Sequence, residues 1–171
     1  MSNEISDDIK KHLTFSFPDM NSEQRIRELG LYISKKCHTD PTFGATKLRK
    51  ILLFADVASY IDSGRPITGS EYIKLEHGPV PAPMVRILAD LEKENAITQT
   101  RQKVYDFERV HIDAHRAANL ELFVTSEIAL VDDIISKLWN RTAADVSELS
   151  HGVAWSSAEL GERIPYEAFL L

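Results

Sequence analysis

Six histidines, one cysteine and scattered hydroxyl side chains are the residues of this 171-residue chain whose types could support covalent or metal chemistry. Their spacing argues against most of it. His12, His38, His77, His111, His115 and His151 form no CxxC or HExxH set, and the i,i+4 pair His111/His115 has no third ligand in sequence and lies where a strand pattern fades. Cys37 falls on the apolar side of a helical pattern, where an inert core thiol is expected. Ser150 and His151 are neighbours on a helix and point about 100° apart, so they cannot pair as nucleophile and base. No G-x-S-x-G, P-loop or GxGxxG occurs. The expectation is a protein with no catalytic residues, no metal and no cofactor.

Binding chemistry is what remains, and two stretches carry it. Lys47, Arg49 and Lys50 crowd the first turns of a helical pattern. Cations there oppose the helix dipole, at about 0.3–1 kcal/mol each, so they are expected to serve something besides the helix, such as a partner's carboxylates or phosphate-like groups. The second stretch is His77-Gly78-Pro79-Val80-Pro81-Ala82-Pro83. Each proline pushes the residue before it out of the α region, and proline has no amide donor. The stretch is therefore expected to run extended, to leave the strand ladder, and to turn into a helix between Pro81 and Pro83. No Ser, Thr, Asp or Asn caps that helix, which leaves His77 as a tether beside its start. If Gly78 is needed for positive φ, replacing it with Ala should cost roughly 1 kcal/mol or more. The elbow would show a partner a rigid surface with little ordering cost.

Elements that position these residues follow from periodicity. Ile26, Leu29, Ile33 and Cys37 recur at helical spacing over 22–38. Residues 46–64 form a helix apolar over more than half its circumference, which marks it as central, with Thr46 as its cap and Gly64 as its left-handed end. Residues 71–75 alternate as a short strand, 84–96 are helical, and 97–114 alternate as a β-ribbon without an Asn-Gly turn. Helices follow behind a Thr125 or Ser126 cap and from the capping-box pattern Thr142/Asp145. The expected fold is mostly α (α+β): a helical domain with a small antiparallel β-ribbon, in an order similar to a winged helix. The expected division is a polar arm at 1–21, a domain at 22–158 and a tail at 159–171, whose Tyr166, Phe169, Leu170 and Leu171 allow a homodimer or a partner-facing hook.

Composition narrows the partners. Apolar residues are 43%, charged residues 27% and the net charge −6, the profile of a folded, soluble domain. No apolar run approaches the roughly 18–20 residues of a membrane span. The acidic N-terminal stretch has no signal-peptide pattern, and a lone cysteine fits a reducing cytoplasm, so a cytoplasmic location is expected. Between Met84 and Arg116, six basic residues face six acidic ones, a poor surface for nucleic acid.

Three segments together resemble the Panacea domain, the SocA-like antitoxin family. Lys47, Leu48, Lys50, Ile51, Leu52 and Phe54 are similar to its KLxKLLYFA helix; His77, Gly78, Pro79 and Val80 to its (Y/H)GPV strand; and Leu149, Ser150, His151 and Trp155 to its late Leu-Ser-His helix with a following Trp. Leu53 stands where an aromatic is frequent, and His77 where Tyr is common. The resemblance, over roughly residues 22–158, implies a bacterial or phage antitoxin that neutralises a cognate protein toxin by direct contact and is not an enzyme. Lys47, Arg49, Lys50 and His77 to Val80 are the expected contacts, with Leu48, Phe54, His151 and Trp155 as framework. Two other readings are a winged-helix-like DNA-binding regulator, and an adaptor handing a bound toxin to a protease or chaperone.

Overall fold

The computed structural model of the protein describes residues 12–171. Among them are six α-helices and five strands: α1 (Ser22–Lys36), α2 (Ala45–Ser63), β1 (Tyr72–Leu75), β2 (Gly78–Pro81), α3 (Met84–Lys93), β3 (Ile97–Val104), β4 (Phe107–Ala114), α4 (Thr125–Leu138), α5 (Ala143–Leu149), α6 (Val153–Ser156) and β5 (Arg163–Ile164). The fold is α+β, as the periodicities predict. Eleven residues of the N-terminal arm lie outside the described residues. The rest of that arm is bonded down: the Phe17 amide donates to the Gly69 carbonyl, and the Tyr166 amide to that of Thr14.

Helix α2 is central because its apolar face is wide. Leu48, Ile51, Leu52 and Ala55 are fully buried, and the helix packs against α1, α4, α5, β2 and β4. Gly44, not Thr46, occupies its N-cap, and no side chain caps it; Gly64 at φ +75° closes it. A second core lies on the other side of α2. There Leu53, Tyr72 and Tyr166 are joined by Phe17, Val57, Tyr60 and Phe169. Asp56 is sealed beneath it and accepts from the Thr68 amide (2.6 Å) and the Tyr72 hydroxyl (2.7 Å). Burial pushes its carboxyl above the ordinary value, against the pull of those donors.

The C-terminal segment is part of this core. Strand β5 pairs antiparallel with β1, Tyr72 opposite Ile164 and Ile73 opposite Arg163. The Tyr166 hydroxyl donates to the Ser70 carbonyl at 2.6 Å. Of the four apolar residues assigned to a free tail, Tyr166 is fully buried, and only Leu170 and Leu171 stay exposed.

The β1–β2 hairpin corrects one expectation. The proline-rich stretch does not leave the ladder: β2 pairs antiparallel with β1, from Leu75 opposite Gly78 to Tyr72 opposite Pro81. Parity makes this possible. The Ala82 amide donates to the Glu71 carbonyl, and bonded positions recur every second residue. Gly78 and Val80 therefore take bonded positions, while Pro79 and Pro81 fall between them, where no donor is needed. β2 is also an edge strand, the place in a sheet where proline is tolerated. α3 then starts at Met84 with Pro83 at its N-cap and no side-chain cap, so His77 does not cap it.

Strands β3 and β4 form a separate two-stranded ribbon, paired from Ile97–Ala114 to Val104–Phe107. The two turn residues are Tyr105 and Asp106, and Tyr105 sits at φ +54°. A bulky side chain is disfavoured in that region, and this one is 93% exposed, so packing gives nothing back. Tyr105→Gly should therefore stabilise the protein by about 0.5–1 kcal/mol. Urea unfolding of both proteins checks this; an unchanged or lower midpoint would show that the turn carries no such strain.

Candidate functional site

The site is built where α2, the β1–β2 hairpin and the α5–α6 corner meet. α2 brings three cations to it within a single turn, and the structure treats each differently. Lys47 is 1% exposed. Its ammonium donates to Asp40 Oδ2 (2.6 Å), Thr42 Oγ1 (2.8 Å) and the Arg141 carbonyl (3.1 Å). Asp40 Oδ1 accepts from the Thr42 amide and hydroxyl and from the Asn140 amide. Burial pushes the Asp40 carboxyl up, but Lys47 and Thr42 together hold it below its ordinary value. A buried ion pair with every lone pair used is stable only as a whole. It ties the α1–α2 loop to the α4–α5 loop.

Lys50 is also 1% exposed, but it has no carboxylate. Its single hydrogen bond is to the Pro79 carbonyl at 2.9 Å. Pro79 occupies a non-bonded position of the ladder, so its carbonyl points away from β1. Lys50 covers that edge. Burial, with Arg49 adding to it, brings the Lys50 ammonium down from 10.5 to about 7. Lys47 and Lys50 thus turn inward, where a partner cannot touch them; this corrects the expectation that the basic turn is a contact surface. Arg49 alone of the three keeps part of its side chain outside.

Gly78 closes the junction. It sits at φ +111°. Neither Glu76 nor His77 has positive φ, so the hairpin turn is not a primed type, and the left-handed residue after the turn supplies the twist. A Cβ at Gly78 would fall 2.6 Å from Lys50 Nζ and closer still to Ser150 Oγ. Ser150 is buried and donates to the Ser147 carbonyl at 2.6 Å.

His151, its neighbour, points the other way and is exposed, not part of a core. Its ring stacks on Trp155 at 4.0 Å. Trp155 Nε1–H donates to the Leu75 carbonyl at 2.8 Å, and Lys74 Nζ lies 4.3 Å from its ring centroid. Trp155 therefore staples α6 to the end of β1. Of the elbow, Gly78 and Pro79 are buried, Val80 is partly buried and His77 is exposed. Leu48 is fully buried, and Phe54 packs against the main core. Leu75, Leu149 and Val153 are exposed within two residues of these contacts. Sequence periodicity alone did not mark them, because each looks like an ordinary core position.

Other chemistry is placed elsewhere. Among the described residues, no group of three His, Cys, Asp or Glu side chains is arranged to hold a metal. His111 faces Asp113 (3.1 Å), and His115 faces Thr98 (2.5 Å). Cys37 is buried, and its thiol is pushed up to about 12 by burial, then by Asp40 nearby, which makes it a poor nucleophile. No helix of the described residues is long and apolar enough to cross a membrane. Helix α3 and the ribbon do follow one another in winged-helix order, but of the six cations between Met84 and Arg116 only Lys93 and Lys103 are without a bonded partner among the described residues. Arg86 is bidentate to Glu23, Arg101 pairs with Glu108, Arg109 donates to the Pro41 carbonyl and Gln102, and Arg116 is bidentate to Glu28.

The family model of the antitoxin SocA-like Panacea domain matches residues 48–156, well over half of the chain, and the chain belongs to this family. Searches of curated proteins and of solved structures find no match. The matched span holds Lys50, the elbow, Ser150 and Trp155, the residues that meet at the junction.

Two measurements test the junction. Gly78→Ala should cost about 2–3 kcal/mol, since it adds a steric clash to an unfavourable φ. Gly78→Ala combined with Ser150→Ala should cost less than the sum of the two, because the worst overlap is removed; strict additivity would refute the contact. Lys50 sets a pH dependence. Its folded value lies below its unfolded value, so between about 7 and 10.5 the unfolded chain binds more protons, and stability rises with pH. From pH 7 to 9 the wild type should gain on the order of 2 kcal/mol over Lys50→Met. Parallel urea curves across that range would contradict it.

Proposed function

We propose that this Panacea-family protein neutralises a cognate protein toxin by direct, non-catalytic binding, and that the binding surface is the rim of the junction. The observation that supports this most is the convergence itself. Three segments distant in sequence are locked together by Lys50 on the Pro79 carbonyl, Gly78 against Ser150 and Trp155 on the Leu75 carbonyl. Around that lock stand exposed side chains the fold does not use: Leu75, His77, Leu149, His151 and Val153. Exposed apolar groups on a rigid frame suit protein recognition, since little ordering is lost on binding. Lys47 and Lys50 contribute from beneath by fixing the loops; Arg49, His77, Val80, Ala82 and Pro83 are the members of the two expected stretches that reach the surface. The even balance of acids and bases between Met84 and Arg116, with Arg86, Arg101 and Arg116 ion-paired, weighs against a nucleic-acid partner. Adaptor activity would use the same surface and would show as toxin loss that requires a protease.

The test is co-expression of the full chain with the toxin encoded beside it in a bacterial host. Growth should be restored, and the two proteins should co-purify. Leu149→Asp, at an exposed position, should weaken the complex by about tenfold or more while leaving the melting temperature within a few degrees. Continued growth arrest despite abundant folded protein would overturn the proposal.

A further inference from the structure

Arg49 is an outlier among the charged side chains. Eight of the ten arginines have an ion pair or hydrogen bond: Arg25, Arg27, Arg65, Arg86, Arg101, Arg109, Arg116 and Arg163. Arg141 has no side-chain partner but is exposed, where water suffices. Arg49 is partly buried, and among the described residues no carboxylate, carbonyl or hydroxyl bonds to it. The chain carries 26 acidic residues, so the lack of a counter-charge is not for want of acids. Its nitrogens are not sealed off either: the buried unpartnered side-chain atoms are Ser34 Oγ, Arg109 Nε and His111 Nδ1.

Lys50 makes the outlier a pair. Its ammonium has three donors and spends one, on Pro79. The Ser150 hydroxyl lies beside it across Gly78. Lys50 is thus a second cation without an anion, depressed by burial first and then by the Arg49 charge. Desolvated cations without a partner are costly, and a fold keeps such a cost where a ligand relieves it.

We propose that Arg49 is the receptor for one Asp or Glu side chain of the partner toxin, with the buried Lys50 adding charge but no contact. The planar guanidinium matches a carboxylate in bidentate geometry. A phosphate backbone would need a row of cations, and there is none here. This rests on the direct-binding reading above, to which it adds a polar contact.

Arg49→Met tests it in two independent ways. In the free protein the variant should melt at the wild-type temperature or above it, because an unpaired cation is removed; a drop of several degrees would make Arg49 structural and overturn the proposal. Against the co-expressed toxin its Kd should rise about tenfold or more, with Arg49→Lys intermediate. Equal binding by wild type and Arg49→Met overturns the receptor and leaves the direct-binding reading intact. If wild type binds no toxin, that reading fails, and sodium acetate against sodium chloride at equal ionic strength decides the receptor alone. Acetate should raise the wild-type melting temperature in a saturable way and not that of Arg49→Met; identical responses would overturn it.

Discussion

Two lysines buried on the central helix set the terms for everything packed around it. An ammonium taken out of water must be given acceptors, or the helix cannot sit where its apolar face demands. Lys47 is met by a carboxylate, a hydroxyl and a carbonyl drawn from two loops. Lys50 is met by one carbonyl from an edge strand. Each lysine thereby fixes a backbone segment that has little apolar surface of its own: the α1–α2 and α4–α5 loops in the first case, the β1–β2 hairpin in the second.

The prolines of β2 belong to the same constraint. At an edge strand a proline removes a donor without harming the ladder, provided it takes the non-bonded positions. Pro79 does so, and its carbonyl is left facing α2 with no strand to accept from. That carbonyl and the Lys50 ammonium satisfy one another. The approach is close enough that a Cβ at Gly78 would collide with both Lys50 and Ser150. Gly78 is needed twice over, for a left-handed φ and for the missing side chain.

Much of this was legible in the sequence, and the parts that were not share a cause. The wide face of α2, the left-handed Gly64 and the Thr142 cap all follow from local rules and are all found. Lys47 and Lys50 were misread as surface groups because their acceptors are invisible to periodicity: a carboxylate on a preceding loop, and backbone carbonyls from 29 and 94 residues away. The same holds for β2, whose prolines argue against a strand until register and edge position are known. It holds again for Tyr166, whose burial depends on a two-residue strand pairing with β1. His151 was expected inside and Ser150 received no role; adjacent helical positions diverge, and nothing local says which one turns inward.

The junction divides its residues between those the fold depends on and those it does not. The residues that lock it are buried, so changing them costs stability wherever the partner lies. Those on its rim carry almost no folding energy, and surface substitutions of that kind usually shift stability by under 0.5 kcal/mol. Leu75, His77, Leu149 and Val153 can thus be replaced at little cost to the fold, while Lys50, Gly78, Ser150 and Trp155 cannot. Arg49 stands between the two groups. It is desolvated enough to be costly and open enough to be reached, a combination that folding alone gives no reason to keep.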